Sequence, residues 1–271
     1  MLRYIGSLIF ILFFSLFILQ SCEKFEFNPY QVHSKNAPAN LNEKNLNKLF
    51  ALVPSDDDTV TILFTSDSQD FYEELDELVN VVNKIPHIDF LLLSGDISEF
   101  GLLREYNWID ARLEKLYMPY FGVIGNHDFQ TSGSEIFEQM FGEKNFSFKY
   151  KGYKFLLHDT NSREYNFNGQ VPDINWLATQ LNDKDAKWFV GVSHVPPFQG
   201  DFDQSLMPAY VDLFSSTPGF ILSLHGHLHT CMDSVYYHDH VRYIISNALN
   251  RNSCLLIKLY NGEITTQLIP Y

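Results

Sequence analysis

Five short polar clusters in this 271-residue chain each close an apolar run. They are Ser66-Asp67-Ser68-Gln69 after TILFT, Gly95-Asp96 after FLLLS, Gly125-Asn126-His127-Asp128 after YFGVI, His194 after WFVGVS, and His225-Gly226-His227-Leu228-His229 after FILSL. Carboxylates, imidazoles and neutral amide oxygens are donors for hard to borderline divalent ions such as Mn, Fe or Zn, and they do not suit soft thiolate metals. One ion would leave donors over. Two ions about 3.5 to 4 Å apart, sharing a carboxylate, would use them all, and such pairs act as clamps in phosphoryl hydrolysis. Taken singly, Asp67 and Asp96 also suit helix caps or turns, and each histidine also suits a partly buried packing role. Their recurrence together at strand ends is what favours a metal centre.

For the clusters to meet, the runs before them must lie side by side. TVTILFTSD, IDFLLLSGD, PYFGVIGNHD, KFLLHDT, KWFVGVSHVPP and FILSLHGHLH read as buried strands. FYEELDELVNVVNKI, LLREYNWIDARLEKLY, INWLATQLND and residues 206–214 carry apolar residues at helical spacing. Continuous apolar strands alternating with such helices predict an α/β fold whose strands are covered on both faces. In open α/β sheets ligands bind beyond the carboxyl ends of the strands, where all five clusters fall. The tail from Tyr236 reads as consecutive antiparallel strands, with Asn261-Gly262 as a hairpin turn. No repeat or Gly/Pro-rich linker follows residue 58, so residues 59–271 are predicted to form one domain.

The order Asp67-x-Gln69, Gly95-Asp96, Gly125-Asn126-His127-Asp128, His194, Gly226-His227-x-His229 resembles the calcineurin-like metallophosphoesterase superfamily over residues 60 to about 230. The resemblance implies a four-layer α-β-β-α sandwich of two mixed β-sheets flanked by helices, with a dinuclear centre at one end. It implies hydrolysis of a phosphomonoester, phosphodiester or pyrophosphate bond by a metal-activated water. Carried over by position, Asp67, Gln69 and His229 would hold one ion, Asn126, His194 and His227 the other, and Asp96 would bridge. His127 would protonate the leaving oxygen or stabilise charge in the transition state, with Asp128 orienting it. The commoner family pattern has histidine where Gln69 stands. An amide oxygen is a weaker, uncharged donor, so Mn is expected, with Fe or Zn as alternatives. Asn161, Arg163 and Arg251 are candidates for contact with substrate phosphate, because arginine suits bidentate phosphate binding; surface salt bridges compete for the same arginines. His225 is expected to be structural, and His158 to pack or to support the site. Two rival readings are a metal-dependent hydrolase of another bond type and a non-catalytic, metal-containing surface lipoprotein.

The net charge of -14 disfavours nucleic acid and anionic membrane surfaces as partners, since both need a cationic footprint. Small phosphorylated substrates are expected, and no protein partner is predicted. At the N-terminus, Arg3 precedes an apolar run from Ile5 to Leu19, followed by Gln20-Ser21-Cys22. This reads as a secretory signal, and LQSC resembles the lipobox of bacterial lipoproteins of the Bacteroidetes type. The resemblance implies a signal peptide over residues 1–21, a lipid on Cys22, a tether and lead-in segment over 22–58 with one short helix, and a place in the cell envelope. An uncleaved membrane helix over residues 4–19 is the alternative. Cys231 and Cys254 are expected to be small buried hydrophobes, with a disulfide as the competing reading.

Overall fold

α1 (Leu41–Ala51) leads into β1 (Val60–Thr65), α2 (Tyr72–Val82), β2 (Phe90–Ser94), α3 (Leu103–Leu113) and β3 (Tyr120–Val123). Then come α4 (Gly133–Phe141), β4 (Phe146–Tyr150), β5 (Tyr153–Leu157), α5 (Ile174–Leu181), β6 (Trp188–Val192), α6 (Met207–Ser216) and β7 (Phe220–His225). The last strands are β8 (Met232–Ser234), β9 (Arg242–Ile245), β10 (Ser253–Tyr260) and β11 (Glu263–Pro270). The structure is a computed structural model that describes residues 28, 31–33, 37–52, 58–237 and 239–271. Both sheets lie in one compact unit, Val32 to Tyr271. The expected signal peptide and Cys22 lie outside the described residues, among which no helix is long and apolar enough to cross a membrane.

Strand periodicity sets the layers. One sheet runs β11-β10-β1-β2-β3 and the other β4-β5-β6-β7-β9-β8, each mixing parallel and antiparallel pairs. Side chains alternate faces along a strand. In β1, Ile62 and Phe64 therefore enter the core between the sheets with Phe155, Val190 and Leu222, while Leu63 joins the helix side. There it meets Leu75, Leu78, Val79 and Val82, the one apolar stripe of α2. On the opposite sheet Leu156, Phe189 and Phe220 turn outward to Leu177 of α5 and to Tyr210 and Phe214 of α6. Four layers, α-β-β-α, result. At the edge strand β3, Asn42 of α1 accepts from Gly122 N and donates to Gly122 O, both at 3.0 Å. A side-chain amide thus caps a strand edge that would otherwise stay open.

The tail departs from the expected run of antiparallel strands. β9 pairs parallel with β7 in the second sheet, β10 crosses to pair antiparallel with β1 in the first, and only β8–β9 and β10–β11 are antiparallel neighbours in sequence. Alternation fixes which face a strand buries but not its neighbour. The β10–β11 turn is at Asn261-Gly262 as expected, both residues having positive φ (49° and 87°). α4 and β4 fill the stretch between Asp128 and Lys154, where the sequence pattern predicts no element. Cys231 and Cys254 are unpaired; Cys254 is buried in the core beside α2 and α3.

His158, at the end of β5, is buried, its Nδ1 2.9 Å from Leu156 O and its Nε2 2.8 Å from Tyr210 Oη. Burial pushes its pKa down to about 4. The unfolded chain takes up this proton near pH 6.5, before the folded protein does. The stabilisation is therefore complete above about pH 6.5 and is lost as pH falls to about 4, on the order of 3 kcal/mol in all. His158→Gln is expected to lose less stability than the parent chain between pH 7 and pH 4.5 in urea unfolding. Parallel stability curves would contradict this role.

Candidate metal centre

Ser94, the last residue of β2, ties the two sheets together where their polar clusters meet. Its Oγ donates to Ser193 O at 2.6 Å, and its carbonyl oxygen lies 2.8 Å from His194 Nδ1. Asp67 N donates to Gly95 O and Gln69 N to Asp96 O, each at 3.0 Å, while Gly226 N donates to His194 O at 3.1 Å. Backbone bonds thus tie the loops after β1 and β2 to each other and those after β6 and β7 to each other, and Ser94 with the His194 ring joins the two pairs. Asp67, Gln69, Asp96, His227 and His229 all have positive φ, between 38° and 71°. Non-glycine residues rarely adopt this conformation, and its concentration here marks a constellation held by its surroundings.

Close approach explains two glycines. A Cβ on Gly125 would lie 2.0 Å from Asp96 N and 2.2 Å from Asp96 Oδ1; one on Gly226 would lie 2.7 Å from Ser94 O. Gly125→Ala is expected to destabilise the fold by about 1–3 kcal/mol and to weaken any binding of divalent ions, because Asp96 must move. Thermal unfolding and Mn titration check this, and a variant unchanged in both would contradict it.

Two donor groups share Asp96. In the first, atoms of Asp67, Asp96 and His229 lie within 4.8 Å of one another, with His229 Nε2 3.2 Å from Asp67 Oδ1. Gln69, 4% exposed, is bound to this group through its backbone. In the second, Asn126 Oδ1 sits 3.0 Å from His194 Nε2 and 2.9 Å from His227 Nδ1, and Asp96 Oδ2 lies 3.2 Å from His194 Nε2. Ser94 O faces Nδ1 of His194, so that nitrogen keeps the proton whenever the ring is neutral, and Nε2 is the nitrogen turned toward the cluster. Burial opposes ionisation of Asp96, yet His194 and His127 beside it hold its carboxyl below the ordinary range. His194 is correspondingly raised, Asp96 and Asp67 outweighing the opposing effect of burial.

The donor set fits divalent ions. Asp67 and Asp96 are 0% and 1% exposed. Among the described residues their ion pairs are with His229 and His194, not with lysine or arginine. Asp67 Oδ1 accepts no aligned hydrogen bond. Two buried carboxylates short of positive charge are costly unless cations meet them.

The expected role of Asp128 needs correcting. Its carboxylate accepts from Ile97 N, Ser98 N, Ser98 Oγ and Gly125 N at 2.8–3.0 Å, with no contact to the His127 ring. Burial and the charge of Asp96 push its pKa up to about 6 against the backbone donors Ser98, Gly125 and Ile97. Asp128 therefore locks the loop after β2 to the loop after β3. The His127 ring is oriented by Glu99, whose O and Oε2 lie 3.1 and 3.3 Å from Nδ1, and His127 N donates to Asp96 Oδ1 at 2.9 Å. In a 3-10 turn (His127–Phe129) adjacent side chains diverge, so adjacency in sequence does not bring the two side chains together.

Other expected residues are placed as follows. His225 lies buried between Ser193 Oγ (3.1 Å) and Ser223 Oγ (2.9 Å), away from the donor groups, and burial pushes its pKa well down. Asn161 is 1% exposed and donates through Nδ2 to Ile124 O and Asp159 Oδ1, which makes it a brace of the loop after β3 rather than a phosphate contact. Arg251 is exposed at the end of the turn Leu249–Arg251. Arg163, also exposed, holds Asp201 at 3.2 Å, and Asp201 Oδ2 lies 3.4 Å from His227 Nε2. Glu99 and Asp201 carry no motif in the sequence. Their one signal is a carboxylate within a few residues of a donor cluster.

Residues 60–231 match the profile of the family described as Calcineurin-like phosphoesterase. A probable cyclic nucleotide phosphodiesterase of Xenorhabdus bovienii is 26% identical over 120 residues, covering 44% of this chain and 40% of that protein. A 3',5'-cyclic-nucleotide phosphodiesterase of Nostoc sp. is 24% identical over 151 residues, covering 53% of this chain and 57% of that protein. The chain thus spans about half the length of these relatives. Among solved structures, a dimetal phosphatase from Danio rerio has the same fold, with a TM-score of 0.61 at 13% identity over 78% of this chain and 99% of that one.

Proposed function

The chain belongs to the calcineurin-like phosphoesterase family, a family of phosphoric ester hydrolases, and on that premise we propose that it is a dinuclear, metal-dependent phosphodiesterase of small substrates such as 3',5'-cyclic nucleotides. The single observation that carries the dinuclear reading is the position of Asp96, grouped with Asp67 and His229 on one side and 3.2 Å from His194 on the other. The diester preference is supported by the names of the relatives just described.

Asp67, Gln69 and His229 would hold one ion, Asn126, His194 and His227 the other, and Asp96 both. When bound, divalent ions supply stabilisation of phosphoryl charge and activation of water. The remaining work falls to side chains. His127, its Nδ1 directed to Glu99, has Nε2 left to carry the proton delivered to the departing oxygen. Asp128 keeps the loops bearing Asp96 and Asn126 in register.

The test is a comparison of substrates with Mn present: a 3',5'-cyclic nucleotide and bis-p-nitrophenyl phosphate against a nucleoside 5'-monophosphate and p-nitrophenyl phosphate. Diesters are expected to exceed monoesters in kcat/KM by roughly tenfold or more, which corresponds to about 1.4 kcal/mol of transition-state discrimination. Faster release of phosphate from the monoesters would overturn the diesterase reading.

A further inference from the structure

The two histidines that meet at Asn126 Oδ1 offer it opposite nitrogens: His194 through Nε2 at 3.0 Å and His227 through Nδ1 at 2.9 Å. Their rings stand nearly at right angles, 80° between planes with centroids 5.2 Å apart. His194 has a built orienting partner, since Ser94 O faces its far nitrogen at 2.8 Å from a fully buried position. For His227 the far nitrogen is Nε2, and the group facing it is the Asp201 carboxylate, Oδ2 at 3.4 Å. Asp201 is itself held from behind. Its Oδ1 lies 3.2 Å from Arg163 Nη1, and its carbonyl oxygen accepts from Arg163 N at 3.1 Å.

We infer that Asp201 is a positioning residue for His227, keeping the proton on Nε2 so that the Nδ1 lone pair is directed into the donor group of Asn126 and His194. The physical reason is general. An imidazole has one proton to place when neutral, and a carboxylate at one nitrogen fixes it there, setting ring orientation and raising the donor strength of the other. The case is sharper for His227 than for the fully buried His194, because the His227 backbone is in the left-handed region (φ 71°) and its ring is partly exposed. Asp201 lies in the loop after β6, seven residues beyond His194, so one loop supplies both a donor and the orienting partner of a donor from the loop after β7.

This inference rests on the dinuclear reading above, and the experiment separates the two. Mn is titrated into chelator-stripped protein and counted by calorimetry and by the electron paramagnetic resonance of free Mn. The parent chain is expected to bind two equivalents; fewer would overturn the dinuclear reading itself. Asp201→Ala is expected to weaken one equivalent by about 10- to 100-fold, the usual effect of losing such a partner, and to leave the other unchanged. Arg163→Ala removes the same Asp201–Arg163 pair without touching His227. The main-chain bond from Arg163 N to Asp201 O survives in this variant and keeps Asp201 at His227, so both Mn affinities are expected to stay near those of the parent. Two unchanged equivalents in Asp201→Ala, or equal losses in both variants, would overturn the positioning role, the second by showing that the ion pair merely braces the loop. If Asp201→Ala does not fold, the isosteric Asp201→Asn removes the charge but keeps an acceptor for Nε2–H, and a smaller loss confined to the same equivalent is expected; two unchanged equivalents there would overturn the role.

Discussion

Asp96→Asn is expected to abolish two-ion binding and to lower kcat/KM for bis-p-nitrophenyl phosphate on the order of 10³-fold or more. The magnitude follows from the several kcal/mol that metal ions contribute to stabilising phosphoryl charge, each 1.36 kcal/mol being tenfold in rate. The variant is nearly isosteric, so the fold has little reason to change, but three contacts do. Asp96 is grouped with Asp67 and His229, its Oδ2 faces His194 Nε2 at 3.2 Å, and its Oδ1 accepts from His127 N at 2.9 Å. Removing the charge weakens both donor groups at once, and the neutral amide retains only one acceptor oxygen. Metal analysis of the purified variant alongside its rate checks this. Two tightly held ions with a rate within a few-fold of the parent would mean that Asp96 is not shared.

His127→Ala is expected to do the opposite in the metal assay and the same in the kinetic one. Its ring is not within either donor group; its contacts are Glu99 at Nδ1 and Gln130 nearby. Ion content should therefore match the parent. kcat should fall by about 10²–10⁴-fold, the usual contribution of a positioned general acid. The loss should be smallest for substrates whose leaving oxygen needs no proton, such as nitrophenolates, and largest for a cyclic nucleotide. A uniform loss across leaving groups would point to charge stabilisation instead of proton delivery, and undiminished turnover would remove His127 from the reaction.

Both predictions concern residues that the amino-acid sequence marks by itself. Asp67, Asp96, Asn126, His194 and the two histidines around Leu228 are legible because each closes an apolar run, and a polar residue at the end of a buried strand needs a reason. The alternation of β1, with Ile62 and Phe64 on one face and Leu63 on the other, is legible for the same reason. What escapes a linear reading is pairing in space. Glu99 and Asp201 are loop carboxylates marked only by standing a few residues from a donor cluster, and only the folded loops bring them to His127 and His227. Asp128 adjoins His127 in sequence and so suggests itself as that ring's partner, whereas its buried carboxylate looks back to Ile97, Ser98 and Gly125. The tail strands carry the right pattern but not the right neighbours: β9 and β10 are close in sequence and belong to different sheets.

The most direct test of a dinuclear, metal-dependent phosphodiesterase is to strip the described unit, starting at Val32, with chelator and add Mn back in steps while following hydrolysis of a 3',5'-cyclic nucleotide. The expected result is a rate near zero without metal that rises only as the second equivalent of Mn binds. A rate that survives chelation, or that saturates with a single equivalent, would contradict it.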